Sequence, residues 1–153
     1  MLGNSARWLG LRLLITAKAL KAPAALGAAG LVSDAAGRVL LVRHSYKAGW
    51  CLPVGGVERG EPPAHAVLRE LKEEVGLSGG VAAFFGIYTR RAGWATNVVT
   101  LYRITGAVID FHPNWEIRDI LWADPDAPPP DATPATLRRL AELKGAAPLS
   151  PYW

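Results

Sequence analysis

Three glutamates, Glu70, Glu73 and Glu74, crowd into the segment Arg69-Glu70-Leu71-Lys72-Glu73-Glu74-Val75-Gly76-Leu77. On a helix Glu70 and Glu74 lie one turn apart and Glu73 three residues from Glu70, so all three project towards one side. Ala64, Val67, Leu68, Leu71 and Val75 make an opposing apolar stripe that would face a core. Like charges at this spacing destabilise an isolated helix by roughly 0.2–0.5 kcal/mol per pair. The arrangement makes physical sense where a divalent cation sits among the carboxylates. Their oxygens are hard donors of the kind Mg²⁺ or Mn²⁺ prefers, and no His or Cys cluster accompanies them. The same spacing also describes a solvated acidic face with Arg69 and Lys72 as partners, and spacing alone does not separate the two.

The longer string does. Gly55 is followed by Glu61, then by Arg69-Glu70-Leu71, Glu73-Glu74 and Gly76-Leu77, nine specified positions within 23 residues. That is the Nudix box position for position, and the sequence resembles the Nudix hydrolase superfamily. The approach Leu52-Pro53-Val54-Gly55-Gly56 is also similar, with Val54 where a glycine is common. The likeness of layout covers about residues 27 to 143.

The resemblance implies a Mg²⁺-dependent (or Mn²⁺-dependent) hydrolase acting on a nucleoside diphosphate linked to another group. It implies Glu70, Glu73 and Glu74 as metal ligands, with the carbonyl of Gly55 as a further one. Glu61 and Arg69 would brace the loop and helix by pairing with each other or with nearby carboxylates. Elementary chemistry agrees, because cleaving a diphosphate bridge gathers negative charge on oxygen that a cation clamp relieves. A base is wanted near the attacking water. Glu73 or Glu74 could serve within the box, and outside it Glu116 is the candidate, with Asp119 in reserve. The segment Asn114-Trp115-Glu116-Ile117 resembles the family's downstream glutamate before a short strand. A nucleotide-binding or RNA-binding module without turnover is the competing reading, and the intact carboxylate set favours the enzyme.

Substrate-holding groups are expected near strand ends. Arg90-Arg91-Ala92-Gly93-Trp94 joins two cations to an aromatic ring, a combination suited to phosphate and a stacked base. Arg43, His44 and Lys47 could steer phosphate, and Tyr46, Trp50 and Tyr88 are further aromatics in reach. Trp115 and Trp122 read as core. A nucleotide-type small molecule is the expected substrate, with no stable nucleic-acid partner. Subfamily signatures are missing: no proline stands between Pro63 and Pro113, and Leu41 to Pro53 holds no coenzyme A signature.

These residues need a frame. Pro62 and Pro63 suit a helix start and Gly76 its end. Leu31-Val32-Ser33 and Val39 to Val42 flank the turn Asp34-Ala35-Ala36-Gly37 and read as a β-hairpin. Gly55-Gly56 and Arg59-Gly60 read as loop. Val81 to Tyr88 and Ala95 to Thr105 read as strands, Ile117 to Trp122 as a short one. Asp124 to Pro134 carries five prolines and is a connector. Thr133 caps a closing helix to about Leu143. The order predicts an α+β fold, a Nudix-like α/β/α sandwich with a mixed β-sheet between helices.

The 153 residues are enough for one domain, half apolar and one-fifth charged, which excludes a disordered chain. The lone Cys51 excludes an internal disulfide framework and fits a cytoplasmic setting. Five acids, Glu58, Glu61, Glu70, Glu73 and Glu74, cluster in a chain of net charge +4, a field suited to a cation that receives a polyanion. Residues 1–24 read as an appended amphipathic helix and 25–153 as a single Nudix domain. That helix runs from about Ala6 to Lys21, capped by Ser5, with Arg7, Arg12, Lys18 and Lys21 among leucines and Trp8. Lys18 and Lys21 interrupt its apolar run, which argues against a signal peptide. It could dock on its own domain, pair two copies as a homodimer, or make a weak membrane contact.

Overall fold

A computed structural model describes residues 3–153, the side chains of 3–8, 10 and 11 apart. Its first element is helix α1 (Gly3–Lys21), followed after Ala22 by Pro23, which cannot continue a helix. The side chains of Leu9 and of residues 12–21 stand exposed, and none joins the core. The helix starts at Gly3, ahead of the expected Ser5 cap, and the side chains of Ser5, Arg7 and Trp8 lie outside those described.

Strand β1 (Ala24–Val32) is central. On one edge it pairs antiparallel with β3 (Val54–Gly56), on the other parallel with β5 (Ala95–Ile109), and β5 pairs antiparallel with β4 (Leu77–Ala92). The sheet order is therefore β3-β1-β5-β4, a mixed sheet. Strand β2 (Val39–His44) forms a separate antiparallel pair with β6 (Ile117–Ala123).

This corrects the expected hairpin. With both edges of β1 occupied, β2 has no ladder to join there and keeps only the Ser33–Val39 bridge before turning to β6. The connecting turn still forms, because Asp34 Oδ1 accepts from the N–H of Ala36 (3.0 Å) and of Arg38 (2.8 Å). A second correction concerns Gly55-Gly56, which is strand rather than loop. Glycines lack the side-chain signals of a strand, yet their backbones pair with Ala28 and Gly27.

Helix α2 (Pro63–Val75) begins on the Pro62-Pro63 step and ends at Gly76, whose φ of 67° is the left-handed conformation glycine adopts without steric cost. Helix α3 (Pro134–Leu143) starts on Thr133, whose hydroxyl accepts from the Thr136 N–H at 3.4 Å. The strands sort their side chains by alternation. Ala28 and Val32 of β1, Leu40 and Val42 of β2, and Tyr102 and Ile104 of β5 pack with Val67, Leu71 and Val75 of α2. The intervening Ala29, Leu31, Leu41, Val99 and Leu101 pack on the other side with Leu140 of α3. The sheets thus lie between two helices, an α/β/α sandwich.

The last residues lie along the edge of β4. The Thr89 N–H donates to the Pro151 carbonyl (2.9 Å), and the Trp153 N–H donates back to Thr89 (3.0 Å). Beneath them is a buried polar knot. Arg139 pairs with Glu142 at 2.6 Å and lies 3.8 Å from the Tyr88 ring centre, while the Tyr88 hydroxyl donates to Glu142 at 2.8 Å. The Trp153 ring meets Tyr88 edge-on at 5.7 Å. Among the described residues no helix is long and apolar enough to cross a membrane.

Candidate active site

The turn before α2 and the helix itself are tied by one guanidinium. Arg69 Nε and Nη2 donate to the two oxygens of Glu61 (2.9 Å each), Nη1 donates to Glu70 (2.9 Å), and Nη2 also reaches the Gly56 carbonyl (3.0 Å). Glu61 further accepts from the Glu58 N–H at 3.0 Å. The Arg69 hydrogen bonds, with that backbone donor, hold the Glu61 carboxyl down at about 2. Four of the five Arg69 N–H donors are taken by this tie. Strand β3 is thereby fixed against α2, so closely that a β-carbon on Gly55 would collide with the Glu70 carboxylate.

The three helix glutamates sit in three environments. Glu73 is exposed, Glu70 is half-buried against Gly55, and Glu74 is only 5% exposed, its Oε2 without a hydrogen-bond partner among the described residues. Burial first, then the charges of Glu116, Glu70 and Glu73, push the Glu74 carboxyl up to about 8. Of the three, Glu74 alone is among the buried residues of α2, and it keeps the charges of Glu116, Glu70 and Glu73 as neighbours. Among the described residues no three Asp, Glu, His or Cys side chains converge on one point.

Glu116 reaches this region through Asn114. Asn114 Oδ1 accepts from the N–H groups of Glu116 (3.0 Å) and Ile117 (2.8 Å), while its Nδ2 donates to the Glu74 carbonyl (3.0 Å). One amide therefore fastens the Glu116 turn to the end of α2. The Tyr46 hydroxyl lies 3.4 Å from Glu116 Oε1, and burial and Glu116 raise its pKa. The sequence reading passed over Asn114. The available signal was an Asn two residues before the glutamate, the spacing of a side-chain-to-backbone turn.

A groove of about 450 Å³ runs past Gly55, Glu70 and Glu116 to Tyr46, Lys47 and Arg90. Past His44, Lys47 and Arg90 it continues into a chamber of about 280 Å³ walled by Leu52, Val99 and Trp153. Asn97 lines both parts, and neither it nor Trp153 stood out in the sequence. Burial lowers the His44 pKa, which keeps the imidazole neutral at pH 7.

Other expected substrate groups lie elsewhere. Arg43 pairs with Asp131 at 2.6 Å and stacks 4.4 Å over buried Trp50, which occupies it as a brace and leaves it off the groove. Tyr88 is buried in the Glu142 knot. Arg91 and Trp94 line a separate shallow cavity with Tyr152 at the β4–β5 turn, and Arg90 borders both places. Asp119 faces Arg43 across the β2–β6 pair, and its carboxylate accepts from the Ile120 N–H at 2.9 Å. Trp115 is 83% exposed and is not core, because its turn is held by backbone and Asn114 contacts rather than by the ring.

A glycine-tied loop, a glutamate-rich helix between sheet and groove, and helices on both faces of a mixed sheet define a class of protein. The NUDIX domain model matches residues 23–143, and the chain belongs to that family of hydrolases. It is 46% identical over 61 residues to an RNA pyrophosphohydrolase of Halorhodospira halophila, covering 40% of this chain but only 33% of that protein. Over 123 residues it is 29% identical to a Bacillus subtilis protein provisionally named an 8-oxo-dGTP diphosphatase, 79% of this chain and 80% of the other. The fold is similar to the crystal structure of a MutT NUDIX hydrolase from Burkholderia pseudomallei, at a TM-score of 0.69 and 24% identity, covering 78% of this chain and 98% of that one.

Proposed function

We infer that this chain hydrolyses a nucleoside diphosphate linked to another group, by divalent-metal-assisted attack of water on phosphorus. The observation that carries the reading is Glu74: a buried carboxylate with an unpartnered oxygen, set in the field of Glu70, Glu73 and Glu116. Such a group is costly alone and favourable beside a cation. The donor set, hard carboxylate oxygen throughout, fits Mg²⁺ or Mn²⁺. Glu70, Glu73, Glu74 and the Gly55 carbonyl are the ligands in this reading, and Glu61 and Arg69 hold the loop and helix that carry them.

A bound divalent ion supplies charge stabilisation at the phosphoryl oxygens and a more acidic water. The chain's own groups do the rest. Lys47 and Arg90 meet the diphosphate's non-bridging oxygens, and the chamber beyond receives the organic group. The Tyr46 hydroxyl orients Glu116 through Oε1, leaving the other carboxylate oxygen to take the proton of the attacking water. The new P–O bond forms as the bridging P–O bond breaks, and the leaving phosphate carries the electron pair away. The B. subtilis relative's name points to an oxidised nucleoside triphosphate and the H. halophila relative's to RNA ends. Either contains a diphosphate bridge that the groove would accept.

The test is phosphate-product release from a panel of ADP-ribose, nucleotide sugars, dinucleoside polyphosphates and oxidised nucleoside triphosphates. It is run with Mg²⁺ and with chelator, beside a Glu73→Gln, Glu74→Gln double variant. Turnover that needs the metal and both glutamates supports the enzyme. Equal low activity in both proteins would leave a binding module.

A further inference from the structure

Helix α1 is unused by the groove, and its charge is singular. The chain holds seventeen Lys and Arg against thirteen Asp and Glu. With Arg7, Arg12, Lys18 and Lys21 set aside, thirteen of each remain, so residues 1–21 carry the whole net charge of +4 without one acid. The same helix exposes Leu9 (62%), Leu13 (64%), Leu14 (53%), Ile15 (57%) and Leu20 (74%). Leu9, Leu13 and Leu20 share one side of the helix, while Leu14 and Ile15 flank Lys18 on the other, so apolar side chains and bases are interleaved around it.

We propose that α1 is a surface anchor that lays this chain on an anionic lipid bilayer. Exposed leucines at this density need an apolar medium, and the bases need anions. A bilayer rich in phosphatidylglycerol or a similar lipid offers both, with the acyl boundary taking the leucines and the headgroup phosphates taking Arg12, Lys18 and Lys21. The lysine and arginine stems are long enough to lie along apolar surface while their charges stay with the headgroups.

Two other occupants fit less well. A second copy of α1 would bring bases against bases with no carboxylate on either helix. A nucleic-acid backbone would satisfy the bases and leave five large apolar side chains in water. Among the described residues no helix is long and apolar enough to span a bilayer, so the proposed contact is peripheral. The groove and its chemistry lie in the domain that starts at β1, so anchoring and turnover are separable.

The experiment uses the full chain with vesicles of phosphatidylcholine alone and vesicles containing phosphatidylglycerol, read by co-sedimentation. Binding is expected only with the anionic lipid and is expected to weaken with added salt. Each neutralised base should weaken it about fivefold, from roughly 1 kcal/mol per base near such a surface. An Arg12→Gln, Lys18→Gln, Lys21→Gln variant should therefore lose about a hundredfold. A Leu13→Ser, Leu20→Ser variant, with all bases kept, should also lose most binding. Both changes are at exposed positions, and unchanged thermal unfolding would show that the domain is intact. Equal retention on neutral vesicles, no binding to either, or full binding by the leucine variant would overturn the proposal. So would a dimeric mass in solution that falls to monomer on the Leu13 and Leu20 changes, or tight binding to single-stranded RNA that survives them.

Discussion

Glu74 is where the residue scale is most informative. In the metal-free fold, burial and three neighbouring carboxylates raise its pKa from an ordinary 4.5 to about 8. Between those values the folded state binds the proton that the unfolded state has released. Stability of the metal-free protein therefore falls as pH rises from about 4.5 to about 8 and levels off above. Glu74→Gln keeps the neutral shape and should flatten that slope. In chelator, thermal unfolding should show its Tm exceeding the parent's by roughly 5 °C at pH 9, with little difference at pH 4. The same change should abolish turnover, so gain of stability and loss of activity go together. Arg69→Lys tests the tie between loop and helix. Lysine cannot fork onto both Glu61 oxygens while reaching Glu70 and Gly56. Metal affinity measured by titration calorimetry should drop about 10- to 100-fold, the usual effect of loosening the groups that orient ligands.

At the scale of elements, the tail on β4 depends on the polar knot below it. Glu142 is buried and holds three partners: Arg139, the Tyr88 hydroxyl and the Ser150 N–H. Tyr88→Phe removes one of them from a charge that has no water to replace it. Urea unfolding should show a loss of about 1–3 kcal/mol. Because Trp153 packs on Tyr88 and walls the inner chamber, KM should rise as well. The Arg139–Glu142 pair has the local i,i+3 spacing of a helix, but Tyr88 lies 54 residues from Glu142 and no local pattern joins it to them. The box helix was legible, since prolines at its start, glycine at its end and an apolar stripe are all local signals. The strand at Gly55-Gly56 and the parting of β1 from β2 were not. Both are decided by which edge a distant strand takes, and β5 is a long way along the chain. Helical spacing put three glutamates on one side, but only the tertiary packing around α2 decides that Glu74 is the buried one.

For the whole molecule, helix and domain divide the labour in our reading: α1 holds the net charge, and residues from β1 onward hold the core and groove. Removing residues 1–21 leaves the Pro23 carbonyl in place to accept from the Thr96 N–H (3.0 Å), where the β1–β5 ladder begins. The shortened chain should unfold within about 2 °C of the parent, since the described side chains of α1, Leu9 and residues 12–21, are all exposed. Its kcat on any substrate in free solution should be unchanged. A large drop in either quantity, read by calorimetry and steady-state kinetics, would mean the helix supports the domain.

The parallel seam between β1 and β5 also sets a timetable for how the protein comes into being. Ala24 meets Thr96 and Val32 meets Ile104, so about seventy residues of chain separate each pair. At roughly 5–20 residues per second of synthesis, β1 waits several seconds for its neighbour to leave the ribosome. In that interval its alanine- and glycine-rich edge is open to wrong pairings. Refolding of the finished chain should accordingly be slow for its size, on the millisecond-to-second scale of folds dominated by distant contacts.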